Sequence, residues 1–168
     1  EKFIHGNPSG IDVNQVLSDT PLLFSKEHGA KKLPFSLDSY LLIIDTGVVG
    51  ITKHTLEHVK DNLKTYKPYI DELGSITKKV IKPLKEKNIE LIGEYMYKAH
   101  SLLQKIGVSH EKNDEVVELC KNNNAKGAKL TGGGAGGCCI CLCDTKENAL
   151  KIQDELKEKG YLSWMVTV

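Results

Sequence analysis

Glycine residues beside a hydroxyl group dominate residues 129–143, which read Lys-Leu-Thr-Gly-Gly-Gly-Ala-Gly-Gly-Cys-Cys-Ile-Cys-Leu-Cys. Glycine adopts positive φ readily and lets a ligand come close to the bare backbone. Successive N–H groups in such a turn form a concavity that binds anions. The stretch therefore predicts an anion-binding loop, while a plain glycine-rich hairpin stays open as the alternative.

The spacing of Gly132, Gly134 and Gly137 also fits G-x-G-x-x-G, the pattern of dinucleotide-binding loops. That pattern requires a helix to begin directly after the glycines. Here an apolar run of Cys, Ile and Leu follows instead, and such a run is typical of a buried strand. We therefore reject the dinucleotide interpretation and predict a strand, a glycine loop and a second strand.

Two further loops, Glu1–Asp12 and Asp45–Thr52, also combine glycines with hydroxyl or carboxyl groups. Phosphoryl transfer uses such groups: N–H donors or cations around the phosphates, a carboxylate for Mg²⁺, and a group that orients or deprotonates the attacking hydroxyl. The residue types alone do not favour phosphoryl transfer over another anion-binding function.

The composition excludes several classes of protein. The 168 residues carry a formal net charge of +1, which argues against a dedicated nucleic-acid binder. The sequence contains no run of 18 apolar residues, so it predicts no membrane span. Four of the five cysteines lie within residues 138–143, which is unlike a disulfide framework, so we expect reduced core thiols in a cytoplasmic protein rather than a thiolate metal site. The chain does not begin with Met, and we expect it to be a piece of a longer protein.

Hydrophobic periodicity predicts the remaining elements. Residues 40–44 favour a central strand, residues 89–106 a helix that Gly107 ends, and residues 146–159 a helix capped by Thr145. We also expect a turn at 29–32, interruptions at Pro68 and Gly74, a helix capped by Asn113 or Asp114, and a last strand over 161–168. This order predicts an α+β fold with an antiparallel sheet and helices on one face.

Three strings, in order along the chain, resemble the mevalonate kinases of the galactokinase, homoserine kinase, mevalonate kinase and phosphomevalonate kinase superfamily. They are Glu1-x-x-x-His5-Gly6-Asn7-Pro8-Ser9-Gly10-Ile11-Asp12, Asp45-Thr46-Gly47 with Thr52-Lys53, and the run from Gly127 to Cys138. The resemblance implies that Asp12 is the catalytic residue that polarises or deprotonates the substrate hydroxyl. It implies that Glu1 is a metal ligand for Mg²⁺. The alternative for Asp12 is a carboxylate at a helix end without a chemical role.

The same resemblance implies further site residues. His5, Gly6, Ser9 and Thr52 correspond to the substrate-binding side. The loop where substrate and phosphate meet corresponds to Thr131, Gly132, Gly133, Gly134, Ala135 and Gly136. The implied cofactors are ATP and Mg²⁺, and the implied reaction is phosphorylation of the small molecule mevalonate in isoprenoid precursor synthesis, without nucleic-acid or membrane partners. A homodimer is allowed.

The chain also departs from the family. The third motif usually reads Lys-Leu-Thr-Gly-Ala-Gly-Gly-Gly-Gly, whereas this chain has Gly133 and carries its alanine at Ala135. The family's ATP-phosphate loop has no match. We therefore expect residues 1–50 to be the tail of an amino-terminal kinase domain, residues 51–168 to form a ferredoxin-like carboxy-terminal domain, and this piece alone to have negligible turnover. A phosphomevalonate kinase, another kinase of the superfamily, and a non-catalytic binding module stay open as alternatives.

Overall fold

The computed structural model describes residues 11–50 and 52–168. These residues belong to two compact units, one reaching Ser36 and the other beginning at Leu37. Within the described residues, none of the helices combines the length and the apolar character that crossing a bilayer requires.

From residue 11 onward, the first unit contains a short helix and one hairpin. Helix α1 spans Ile11–Val16, and strands β1 (Leu22–Ser25) and β2 (Gly29–Lys32) form an antiparallel pair. The expected turn at 29–32 is wrong, because these residues pair with β1 and the turn lies at residues 26–28. Ser25 holds this turn locally: its Oγ accepts the N–H of His28 at 3.0 Å.

The second unit contains four strands and six helices among its described residues. In chain order they are β3 (Tyr40–Asp45), α2 (Thr52–Asp61), α3 (Leu63–Lys79), α4 (Ile81–Glu86), α5 (Ile89–Ile106), α6 (Glu111–Asn122), β4 (Gly127–Leu130), β5 (Cys138–Cys143), α7 (Lys146–Glu158) and β6 (Leu162–Thr167). All strand pairs are antiparallel, and the sheet order is β4-β5-β3-β6. The α+β fold with an antiparallel sheet is thereby confirmed.

The strand order is that of a ferredoxin-like β-α-β-β-α-β unit whose first strand is β3. Strand β3 bonds to β5 on one side and to β6 on the other, so it is central. The second compact unit begins at Leu37, ahead of β3.

The core lies between one face of the sheet and helices α6 and α7. Period-two alternation places three of the clustered cysteines on this face, fully buried, while Cys138 is only partly buried on the other face. The core side chains from sheet and helices are Leu42, Ile44, Cys139, Cys141, Cys143, Val116, Cys120, Ala149, Ile152 and Leu156. Burial among these thiols and apolar groups raises the pKa of Cys139 to about 11, which keeps it a neutral core residue.

Local signals set most helix ends. Gly107 adopts φ 77° and ends α5, and the Thr145 side chain accepts the N–H of Asn148 at the start of α7, as predicted. The predicted interruptions at Pro68 and Gly74 are wrong, because α3 continues through both. Pro68 removes only the hydrogen bond to the carbonyl of Lys64, a residue exposed to water that can replace it.

Helix α6 begins earlier than the sequence indicated. Its N-cap is His110, whose Nδ1 accepts the N–H of Lys112 at 3.1 Å. Asn113 is the third helical residue and returns a bond to the N–H of His110 at 3.2 Å, so the two complete a capping box. The predicted cap at Asn113 or Asp114 is therefore wrong, and the amide of Asn113 can make further contacts besides its bond to His110.

Candidate functional site

The glycine loop connects β4 to β5 at one end of the sheet. It borders an open cleft of about 380 Å³. The cleft is lined by Gly50, Thr131, Gly132, Gly133, Gly134, Gly136, Gly137 and Cys138. Six of the eight lining residues are glycines, so the cleft presents mainly backbone groups to a ligand.

The loop at Asp45–Gly50 lies directly against the glycine loop. Thr46 donates twice to the carbonyl of Gly137, from its N–H at 3.0 Å and from Oγ1 at 2.6 Å. The carbonyl of Val48 accepts the N–H of Gly137 at 2.8 Å. A Cβ at Gly50 would come within 2.5 Å of the carbonyl oxygen of Gly134, so the two backbones meet where no side chain fits. Two of the three polar loops singled out in the sequence thus share one site.

A second support for the loop comes from the segment between α5 and α6 and from the first turn of α6. The carbonyl of Val108 accepts the N–H of Ala135 at 2.8 Å. Asn113 lies behind the loop and is fully buried; its Oδ1 accepts the N–H of Gly136 at 3.1 Å, and its Nδ2 donates to the carbonyl of Gly136 at 3.0 Å. The loop is therefore fixed by residues far from it in sequence.

The strand that leads into the loop is held by a buried histidine. His100 Nδ1 accepts the N–H of Leu130 at 3.3 Å, and its Nε2 lies 3.1 Å from Oδ1 of Asp114. Burial lowers the pKa of His100, although Asp114 opposes the shift. A neutral imidazole is the form that keeps Nδ1 an acceptor for Leu130.

These contacts divide the loop amides into two groups. The N–H groups of residues 135 to 137 bond to groups within the fold. Those of Gly132 and Gly133 have no bonding partner among residues 11–50 and 52–168, and both residues are exposed at the cleft. Two consecutive N–H donors at an open cleft match the chemistry of an anion site.

The remaining predicted site residues are placed less fully. Glu1, His5, Gly6 and Ser9 lie outside the described residues. Asp12 belongs to α1, and the description covers its backbone only. Thr52 is the first residue of α2, immediately after the loop that contacts the glycines, and its side chain is likewise not described. The roles implied for these residues stay predictions.

Sequence reasoning missed the residues that hold the loop. Thr46 was within a highlighted loop, but its link to Gly137 crosses 91 positions. Asn113 was read as a cap, because asparagine is common there. The usable signal was an asparagine among the apolar core positions of α6, where a buried amide needs partners.

Comparison with known proteins places this geometry in a family. Residues 80–162 match the family described as GHMP kinases C terminal. The chain contains the C-terminal domain of the GHMP kinases. The resemblance drawn from the three strings is thereby confirmed.

The curated relatives include mevalonate kinases. That of Aeropyrum pernix is 33% identical over 84% of this chain and 45% of its own length, and that of Dictyostelium discoideum is 31% identical over 100% and 47%. The crystal structure of L. major mevalonate kinase in complex with R-mevalonate superposes with a TM-score of 0.87 at 26% identity, covering 97% of this chain and 54% of that one. The chain thus spans less than half the length of these two curated relatives.

Proposed function

We propose that this chain is the carboxy-terminal part of an ATP-dependent small-molecule kinase that transfers the γ-phosphoryl group of ATP to the 5-hydroxyl of mevalonate. The product would be 5-phosphomevalonate. The observation that carries the proposal is the pair of exposed, unbonded N–H groups at Gly132 and Gly133, in a loop held by bonds on residues 135 to 137.

The chemistry of the loop suits a phosphate. Charge on the transferring phosphoryl group is spread over its equatorial oxygens, and donors fixed in advance stabilise that charge without reorganising. Bonds to Val108, Asn113 and Val48 meet this need, since they keep the loop in one shape before any ligand arrives. A flexible glycine hairpin would instead lose conformational freedom on binding.

The cofactors fit to different degrees. A pair of backbone donors at an open cleft fits the phosphates of ATP. Among the described residues, no group of three or more His, Cys, Asp or Glu side chains could hold a metal. Mg²⁺ therefore enters the proposal only through Glu1, where a carboxylate would ligate it. When bound, the metal would neutralise charge on the nucleotide phosphates.

Asp12 is the proposed acceptor or polariser of the mevalonate hydroxyl proton, with His5, Gly6, Ser9 and Thr52 on the substrate side. The division at residue 50 between an amino-terminal and a carboxy-terminal kinase domain stays a prediction. A cytoplasmic location and a homodimer stay predictions, which fractionation and sedimentation of the protein would test.

The test uses the full-length protein that contains this chain, with ADP release measured against mevalonate, phosphomevalonate and galactose. We expect mevalonate to be the best acceptor and Asp12→Asn to lower kcat about a hundredfold or more with little change in nucleotide affinity. Asp19→Asn is the matched control, because Asp19 is an exposed carboxylate whose recorded contact is an ion pair with Lys32.

Near-normal kcat in Asp12→Asn would remove Asp12 from its role. Phosphomevalonate as the best acceptor would favour the alternative kinase, and release of ADP with none of the three would contradict the proposal. The 168-residue chain assayed alone tests the expectation of negligible turnover.

A further inference from the structure

Asn113 makes an unusual pair of contacts for a residue in the first turn of a helix. Its amide bonds to both backbone groups of one residue, accepting from the N–H of Gly136 at 3.1 Å and donating to its carbonyl at 3.0 Å. The same Oδ1 accepts the N–H of His110 at 3.2 Å, and Nδ2 lies 3.4 Å from Sγ of Cys139. Asn113 thus connects the start of α6, the glycine loop and the beginning of strand β5.

The chemistry of this contact requires a neutral amide. Only an amide side chain presents a donor and an acceptor side by side at this length. A carboxylate would keep the acceptor but set a second oxygen against the carbonyl of Gly136. An apolar side chain would leave both groups of Gly136 unpaired in a buried place, which is costly.

Gly136 also has a backbone conformation that only glycine adopts readily. It has φ +115°, a value that L side chains rarely adopt, and a Cβ there would lie 2.7 Å from the carbonyl oxygen of Val48. The N–H groups of its two neighbours bond to the carbonyls of Val108 and Val48, and the carbonyl of Gly137 also accepts two bonds from Thr46. Gly136 is therefore the middle of three tethered residues, and a side chain tethers it on both of its polar groups.

We propose that Asn113 is a positioning residue: by holding both polar groups of Gly136 it fixes the loop so that the N–H groups of Gly132 and Gly133 point at the phosphate to be transferred. This inference rests on the proposed phosphotransferase function for its chemical consequence. That Asn113 tethers the loop follows from its hydrogen bonds alone and does not depend on the proposed function. Asn113 does not touch the reacting groups; it acts through the glycine loop.

The first experiment measures hydrogen exchange of the loop amides by NMR in the 168-residue chain. Asn113→Ala is expected to speed exchange at Gly136 about tenfold or more, because the N–H loses its acceptor. Asn148→Ala is the matched control: Asn148 donates through Nδ2 to the carbonyl of Asn123 at 2.8 Å, so the same kind of bond is lost away from the loop. Unchanged exchange at Gly136 would overturn the proposal.

The second variant, Asn113→Asp, retains the size of the side chain and keeps the inference testable if Asn113→Ala does not fold. As a carboxylate it loses the donor to Gly136; once protonated it regains an O–H donor beside a carbonyl acceptor. We therefore expect loop protection to be reduced at neutral pH and recovered as the pH falls. A defect in Asn113→Asp that is independent of pH would contradict the proposed donor role.

The kinetic readout uses the full-length protein. Both Asn113 variants are expected to lower kcat about tenfold to a hundredfold, as for donors displaced from a reacting group, with a smaller change in KM for ATP. Asn148→Ala should leave both constants unchanged. Faster loop exchange with kcat equal to that of Asn148→Ala would overturn the positioning role. A wild-type protein that releases no ADP would instead contradict the proposed function, and exchange would still decide whether Asn113 holds the loop.

Discussion

The two hairpins among the described residues are held in different ways. The β1–β2 turn is held from within, by the bond from the N–H of His28 to Oγ of Ser25, three positions away. The loop between β4 and β5 is held from outside, by bonds to Thr46, Val48, Val108 and Asn113. A local turn only reverses the chain, whereas a loop fixed by distant segments can present its own N–H groups to a ligand.

The largest expected effect comes from filling space at the second loop. A Cβ at Gly134 would lie 2.2 Å from the carbonyl oxygen of Val108, the atom that also accepts the N–H of Ala135. Gly134→Ala must displace that carbonyl and should lower the free energy of unfolding by about 3 kcal/mol or more in urea denaturation.

Two other glycines serve as controls that distinguish the steric clash at Gly134 from the cost of backbone strain. Gly132 in the same loop and Gly29 in the first hairpin both have positive φ, and nothing lies within 4 Å of a Cβ added at either. Their alanine variants should lose only about 1–2 kcal/mol, the cost of a left-handed L residue. Equal losses at all three positions would mean that the second loop is no more tightly held than the first.

An intermediate effect is expected where a side chain reaches the loop. Thr46→Val removes the hydroxyl bond to the carbonyl of Gly137 but leaves the bond from the N–H of residue 46. We expect a loss of about 1–2 kcal/mol in unfolding free energy, with recovery in Thr46→Ser.

Thr77→Val is the control for that change, since the Thr77 hydroxyl bonds to the carbonyl of Leu73 within the same helix at an exposed position. It should change stability by less than about 0.5 kcal/mol. A loss at Thr46→Val no greater than this would show that the side chain adds nothing to the hold on the loop.

The contrast between the hairpins also explains what the sequence could predict. Apolar runs on both sides of the glycines predicted a strand, a loop and a strand, because that information lies within about fifteen residues. The partners of strand β3 could not be predicted in this way, since β5 and β6 lie some hundred residues later in the chain. The bonds from Thr46 and Asn113 to the glycine loop could not be predicted for the same reason, because they form only once the sheet has folded.

The smallest expected change in unfolding free energy comes from moving the alanine of the second loop. Gly29 supplies a glycine at the left-handed position of the first hairpin, but the second loop carries Ala135 at φ 57°. Ala135→Gly removes the cost of a left-handed L residue while adding freedom to the unfolded chain, so the net gain should be up to about 1 kcal/mol. Unfolding in urea would measure it.

Gly133 is the matched position, because it does not have positive φ and is exposed. Gly133→Ala should be neutral or stabilise by up to about 1 kcal/mol through the unfolded chain. The third motif of the mevalonate kinases usually has alanine at position 133 and glycine at position 135. The two substitutions together would therefore give this chain the usual motif at those positions. If Ala135→Gly destabilises the chain, the methyl group of Ala135 must contribute packing that outweighs its backbone cost, and the loop would depend on side-chain contacts as well as on its tethered amides.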